Sequence, residues 1–180
     1  MYSDDSLIEE LNTPLGDTDK TKHLKTTEMM CLWAMRTLVW SWTHKSISKT
    51  EFLDGLEAAG CAETAEGFGN FLSLIGGGAI KQIRTNHPCH RLITVDEKRL
   101  MHTLAAQQAG HSLEAFDVLS SIVAGSAVRL SLEYAEAIAR KLANAGFYIP
   151  DRAWALEELA VAKRLRAPSN VRACVRHMIH

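Results

Sequence analysis

Apolar residues recur through most of the chain with the three- or four-residue spacing of an α-helix. In residues 127–145, for example, Leu130, Tyr134, Ile138 and Leu142 fall four apart on one face. The pattern predicts a mainly α, multi-helix single domain of about seven or eight helices. The main predicted segments are 27–44, 48–59, 62–75, 94–110, 112–125, 127–145 and 151–167, followed by one or two helical turns at the C-terminus.

Capping residues and glycines mark the predicted helix ends. Thr94 and Glu97 have the spacing of a capping box, and Ser112 is a predicted N-cap for the next helix. Gly60 and Gly146 are predicted to end helices in the left-handed conformation. The 62–75 helix is expected to bury one apolar face, made of Phe68, Phe71, Leu72 and Ile75.

One stretch departs from helical spacing. Residues 79–95 alternate apolar and polar side chains on both sides of Thr-Asn-His-Pro-Cys at 85–89. Asn86 and Pro88 within that sequence favour a turn. The pattern therefore predicts a short β-hairpin near 79–95.

The two ends of the chain carry opposite charge. The sequence is acidic and polar over residues 1–25, which predicts a mobile arm, whereas no acidic residue follows Glu158. Residues 26–167 are expected to form the helical core domain, and 168–180 a basic tail. The basic residues after Glu158 are Lys163, Arg164, Arg166, Arg172 and Arg176.

Length, composition and charge limit the classes of protein to which the chain can belong. With 180 residues, 47% hydrophobic and 23% charged, the chain is long enough to bury a core without a disulfide or metal. Its net charge of −1 gives no overall attraction to nucleic acid or anionic membrane. The apolar run at 29–42 contains Arg36 and is shorter than the roughly 20 residues of a membrane span. With no apolar export signal, we expect a cytoplasmic protein with reduced cysteines and no membrane partner.

The 27–44 helix carries Trp33, Trp40 and Trp42 and is apolar around most of its circumference. Such a helix is either enclosed by other helices or shared with a partner chain. The tryptophans are therefore core residues or interaction residues. Self-association or a protein partner is expected to use this helix or the 127–145 helix.

Cysteine and histidine raise the question of a metal site or an enzyme. His87, Cys89 and His90 are candidate metal ligands, and Cys89 is a candidate nucleophile because of its histidine neighbours. Cys61, near the start of the 62–75 helix, is a second candidate, since the helix dipole would favour its thiolate. However, no second Cys/His pair with zinc-site spacing, phosphate loop or catalytic signature is present. No catalytic residue or cofactor is assigned.

Residues 27–95 follow the element order of a winged helix-turn-helix, which suggests a nucleic-acid-binding regulator. Its recognition helix would be 62–75, but that segment contains Glu63 and Glu66 and no lysine or arginine, and carboxylates repel phosphates. The sequence therefore favours a non-catalytic protein-interaction or regulatory, adaptor-like domain. The nucleic-acid regulator and a cysteine- or zinc-dependent enzyme around Cys89 are the alternatives. The nucleic-acid or acidic-partner contacts would be Lys81, Arg84, Arg91, Arg172 and Arg176.

Overall fold

Helices account for most of the computed structural model, which describes residues 20–44 and 49–152. The six helices are α1 (Thr26–His44), α2 (Lys49–Ala58), α3 (Ala65–Gly78), α4 (Val95–Gln108), α5 (Ser112–Ser120) and α6 (Gly125–Asn144). Single 3-10 turns at Thr21–His23 and Ala62–Thr64 precede α1 and α3. The described part is thus a mainly α single domain, as predicted. The predicted Ser48 start of α2, residues 1–19 of the arm, the 151–167 helix beyond its first two residues, and the 168–180 tail lie outside the described residues.

The Thr94 capping box forms as the sequence predicts. The Thr94 hydroxyl accepts a hydrogen bond from the Glu97 backbone N–H at 3.1 Å, and the Glu97 carboxylate accepts one from the Thr94 N–H at 2.8 Å. Gly60 and Gly146 have φ values of 77° and 81°, the conformation expected of terminal glycines. Ser112 is not the cap of α5 but its first residue, and its hydroxyl lies 3.3 Å from the Gln107 side-chain oxygen.

The core is centred on α3, which packs along α6 and also contacts α1. The predicted apolar face of α3 is buried in full. Gly67 allows the close approach to α6, because a Cβ there would lie 2.8 Å from Ile138 Cγ1. α4 packs against both α5 and α6 and completes the domain.

The predicted apolar face of α6 is only partly correct. Ile138 and Leu142 are fully buried, but Leu130 is exposed and Tyr134 is half-buried. Residues four apart drift around a helix that has 3.6 residues per turn, so a strict four-residue series leaves the core within three steps. The buried face instead consists of Val128, Ser131, Ala135, Ile138, Ala139 and Leu142.

The predicted β-hairpin is wrong. Residues 79–94 form an extended loop, in which Ala79 makes an isolated bridge to Val123 and Leu92 makes one to Lys20. Two isolated strands are only marginally stable in water. Here the N–H groups of Arg84 and Asn86 and the carbonyls of His90 and Leu92 bind charged side chains of α1 and α4 instead. Without the hairpin, the winged-helix architecture is absent from the described residues.

Within the part of the chain that the structure describes, no helix is both long enough and apolar enough to cross a membrane.

Candidate functional site

A buried arginine holds the 79–94 loop against the helices. Arg36, in the middle of α1, is 1% exposed. Its Nε and Nη2 donate to the two carboxylate oxygens of Glu97 at 2.7 and 2.8 Å. Its Nη1 donates to the His90 carbonyl at 2.6 Å, and Nη2 also donates to the Leu92 carbonyl at 2.5 Å. One guanidinium therefore joins α1, α4 and the loop.

Glu97 uses its whole acceptor capacity in this network. Beyond the two bonds from Arg36, Oε1 accepts from the Asn86 N–H at 2.8 Å and Oε2 from the Thr94 N–H at 2.8 Å. An ionised carboxylate has about four lone-pair sites, and all are filled here. Burying two charges costs several kcal/mol per ion, and their attraction offsets that cost only when the pair is well aligned and its remaining lone pairs are hydrogen-bonded. This pair meets both conditions.

Asp96 attaches the other half of the loop. Its Oδ1 accepts from Lys81 Nζ at 2.5 Å and from Arg99 Nη1 at 2.8 Å, and Oδ2 accepts from the Arg84 N–H at 3.0 Å. Burial opposes ionisation of this carboxyl. The hydrogen bonds and charge of Lys81, the Arg84 N–H and Arg99 outweigh that effect, so the pKa of Asp96 lies below its usual value.

The loop and the end of α1 together form an aromatic–histidine patch, which we define as Trp40, His44 and His87. The Trp40 ring stacks on His44 with centroids 3.5 Å apart, and His87 meets it edge-on at 4.4 Å. Trp42 is 48% exposed, but it is two residues from Trp40 and therefore about 200° around the helix, so it is not part of the patch. The structure thus brings together Trp40 and His87, which the sequence patterns assign to different sites.

Trp33, the third predicted interaction residue, lies elsewhere. It is half-buried and stacks on Phe52 of α2, with ring centroids 5.9 Å apart. Gly55 provides room for it, since a Cβ at Gly55 would lie 2.4 Å from the indole ring. Trp33 therefore joins α1 to α2.

The predicted metal ligands in the loop direct ring nitrogens at their own backbone. His87 Nδ1 accepts from the Cys89 N–H at 3.1 Å, and His90 Nδ1 accepts from the Leu92 N–H at 3.2 Å. Among the described residues, the group of metal-ligating atoms that comes together is not this one; it consists of His102, Glu114 and Asp151.

Of the two candidate nucleophiles, only Cys89 is exposed. Cys61 is buried, with Sγ 3.1 Å from Met30 Sδ. Burial raises the pKa of the Cys61 thiol, and the hydrogen bond with Thr64 offsets this only in part. Burial therefore opposes the thiolate that the position of Cys61 near a helix start suggests.

The basic loop residues do not present a row of uncompensated charges. Lys81 pairs with Asp96, Arg84 is half-buried, and Arg91 is exposed. Arg172 and Arg176 lie outside the described residues. The supposed recognition helix, α3, buries its apolar face in the core.

Three residues that determine the site, Arg36, Asp96 and Glu97, were not predicted from the sequence. The sequence patterns mark Arg36 only as an interruption of an apolar run, and they mark Glu97 only as half of a capping box. A lone arginine inside an apolar helix is itself a signal, because a buried guanidinium requires an acidic partner.

Comparisons with known proteins do not assign the chain to a family. The sequence matches no protein-family model and no curated protein, and no solved structure matches the fold. Function must therefore be inferred from the side chains of the patch and the loop.

Proposed function

We propose that this chain is a non-catalytic, cytoplasmic protein-interaction domain of regulatory, adaptor-like type, which docks through the aromatic–histidine patch. The observation that carries the proposal is the contact of the Trp40 ring with His44 and His87, both of which are exposed. Tryptophan is among the residues most enriched at binding hot spots, because it combines a large apolar area with a polar N–H.

The loop that carries His87 is held in place by buried side chains, and this favours a role in docking. Arg36 fixes the His90 and Leu92 carbonyls on one side of the loop. Glu97 fixes the Asn86 N–H, and Asp96 fixes the Arg84 N–H on the other side. A surface ordered before binding loses less conformational entropy on docking. An extended loop longer than about 12 residues is uncommon in a small domain unless it serves a function.

The partner that we propose is a second copy of the chain. A net charge of −1 means that two copies repel each other only weakly. The patch is also self-complementary in chemistry, since it offers both indole and imidazole rings. Two-fold dimers use the same patch on both subunits, which suits a surface of this kind.

Sedimentation velocity over a wide concentration range tests the proposal. We expect a reversible dimer for the wild type and a monomer for His87→Glu, because the new carboxylate would have to be desolvated in the interface. Leu113→Glu is the matched control, since Leu113 is 85% exposed on α5, outside the patch. This control should dimerise like the wild type. A wild type that stays monomeric, or equal weakening by both variants, would overturn the proposal.

A further inference from the structure

Three segments that are distant in sequence bring metal-ligating atoms together in another side-chain cluster. His102 comes from α4, Glu114 from α5 and Asp151 from the chain after α6, and one ligand atom of each lies within 4.8 Å of the others. His102 Nε2 is 2.5 Å from Glu114 Oε1. His111 Nδ1 lies 3.9 Å from the other Glu114 oxygen and provides a fourth candidate ligand.

The His102 ring is fixed and turned toward the carboxylates. The residue is 2% exposed, and its Nδ1 has no hydrogen-bond partner among the described residues. The polar contact of the ring with the described residues is between His102 Nε2 and the Glu114 carboxylate. Glu114 is partly exposed and Asp151 is exposed, so an ion can reach the cluster from solvent.

We infer that His102, Glu114 and Asp151 form a binding site for a divalent cation of the zinc type. Zinc takes imidazole nitrogen and carboxylate oxygen at about 2.0–2.2 Å, often with three protein ligands and one further position. In a tetrahedral site such ligand atoms lie about 3.3 Å apart. The separations in the cluster, from 2.5 Å to at most 4.8 Å, bracket that value. Small movements of the two carboxylates suffice to complete the coordination, with His111 or water in the fourth position.

A histidine–glutamate ion pair alone explains only part of the arrangement. It accounts for His102 and Glu114 but leaves the Asp151 carboxylate close to the Glu114 carboxylate. Two carboxylates that share a site repel each other. A divalent cation offsets that repulsion and uses all three side chains.

The cation would fix the chain where it leaves α6. Arg152, the residue after Asp151, already binds Glu28 of α1 through Nε at 2.5 Å and Nη2 at 2.8 Å. With Asp151 ligated to α4 and α5 as well, the 149–152 segment is attached on two sides. The site shares no residue with the aromatic–histidine patch, so it stands independently of the proposed dimer.

Titration of the metal-free full chain with zinc chloride, followed by calorimetry, tests the inference. We expect one equivalent per chain and a rise in Tm at saturating zinc. Asp151→Asn and Glu114→Gln should each weaken binding at least tenfold and reduce the rise in Tm at a fixed zinc concentration. Both residues are at least partly exposed, so these variants should fold even if a change at buried His102 does not.

Two controls make the outcome decisive. Glu133→Gln removes an exposed carboxylate from α6, and Cys89→Ser removes the exposed thiol beside His87 and His90. Both should bind zinc as the wild type does. The inference fails if no stoichiometric binding occurs, if Asp151→Asn and Glu114→Gln bind normally, or if Cys89→Ser alone abolishes binding, which would locate the ion in the loop.

Discussion

The Arg36 guanidinium and the Glu97 carboxylate form a bidentate ion pair that is closed to solvent, with Glu97 fully buried and Arg36 1% exposed. The pair joins the middle of α1 to the first turn of α4. Because both partners also hydrogen-bond to loop backbone, it determines the position of residues 79–94. The ordered loop is thus a consequence of two charges far apart in the sequence.

Replacing one charge of this pair should destabilise the whole domain. Glu97→Gln keeps the side-chain size and one acceptor for the Thr94 N–H but leaves Arg36 buried without a counter-charge. We expect a loss of about 3–5 kcal/mol in the free energy of unfolding, measured by urea denaturation. Glu133→Gln, on the exposed face of α6, should stay within about 0.5 kcal/mol of the wild type. A loss below about 1 kcal/mol for Glu97→Gln would show that the pair does not position the loop.

Two glycines of α3 should respond to alanine in opposite directions. A Cβ at Gly67 would lie 2.8 Å from the buried Ile138 Cγ1, so Gly67→Ala overpacks the α3–α6 contact and should cost about 1–3 kcal/mol. A Cβ at Gly69 would meet no atom of a neighbouring element within 4 Å, so Gly69→Ala should stabilise the helix by up to about 1 kcal/mol. Thermal unfolding of both variants measures the difference. Equal effects would contradict the close packing of α3 on α6.

Acid should weaken the Asp96 contacts. Because the pKa of Asp96 is lowered from 3.8 in the folded state, its stabilising effect is complete above pH 3.8 and is lost as the pH falls through the lower folded value. The stability difference between wild type and Asp96→Asn should therefore shrink as the pH is lowered below 3.8. Urea midpoints across that range measure it, with Asp54→Asn on the exposed face of α2 as the control. A stability difference that stays constant as the pH falls would contradict a lowered pKa of Asp96 in the folded state.

Nucleic-acid binding provides a test of the rival function. With no wing in the described residues and Lys81 paired to Asp96, we expect no binding of mixed-sequence double-stranded DNA at physiological salt, measured by fluorescence anisotropy. Steep, salt-dependent binding that Arg91→Ala weakens, and that Arg129→Ala on α6 leaves unchanged, would favour the nucleic-acid regulator instead.

Local patterns in the sequence predict the helices well but not the site. The apolar face of α3 and the Thr94 capping box follow from spacing within single helices. The 79–94 loop does not, because its backbone partners, Arg36, Asp96 and Glu97, act across the fold. The same holds for His102, Glu114 and Asp151, which meet only after α4, α5 and α6 have packed.

The proposal that the aromatic–histidine patch is an interface is tested most directly by hydrogen exchange at low and high protein concentration. Peptides covering 36–44 and 79–94 should exchange more slowly at high concentration, while α5, with its exposed Leu113, should exchange at the same rate throughout. Protection confined to other segments, or no concentration dependence in a protein that does dimerise, would contradict docking through this patch.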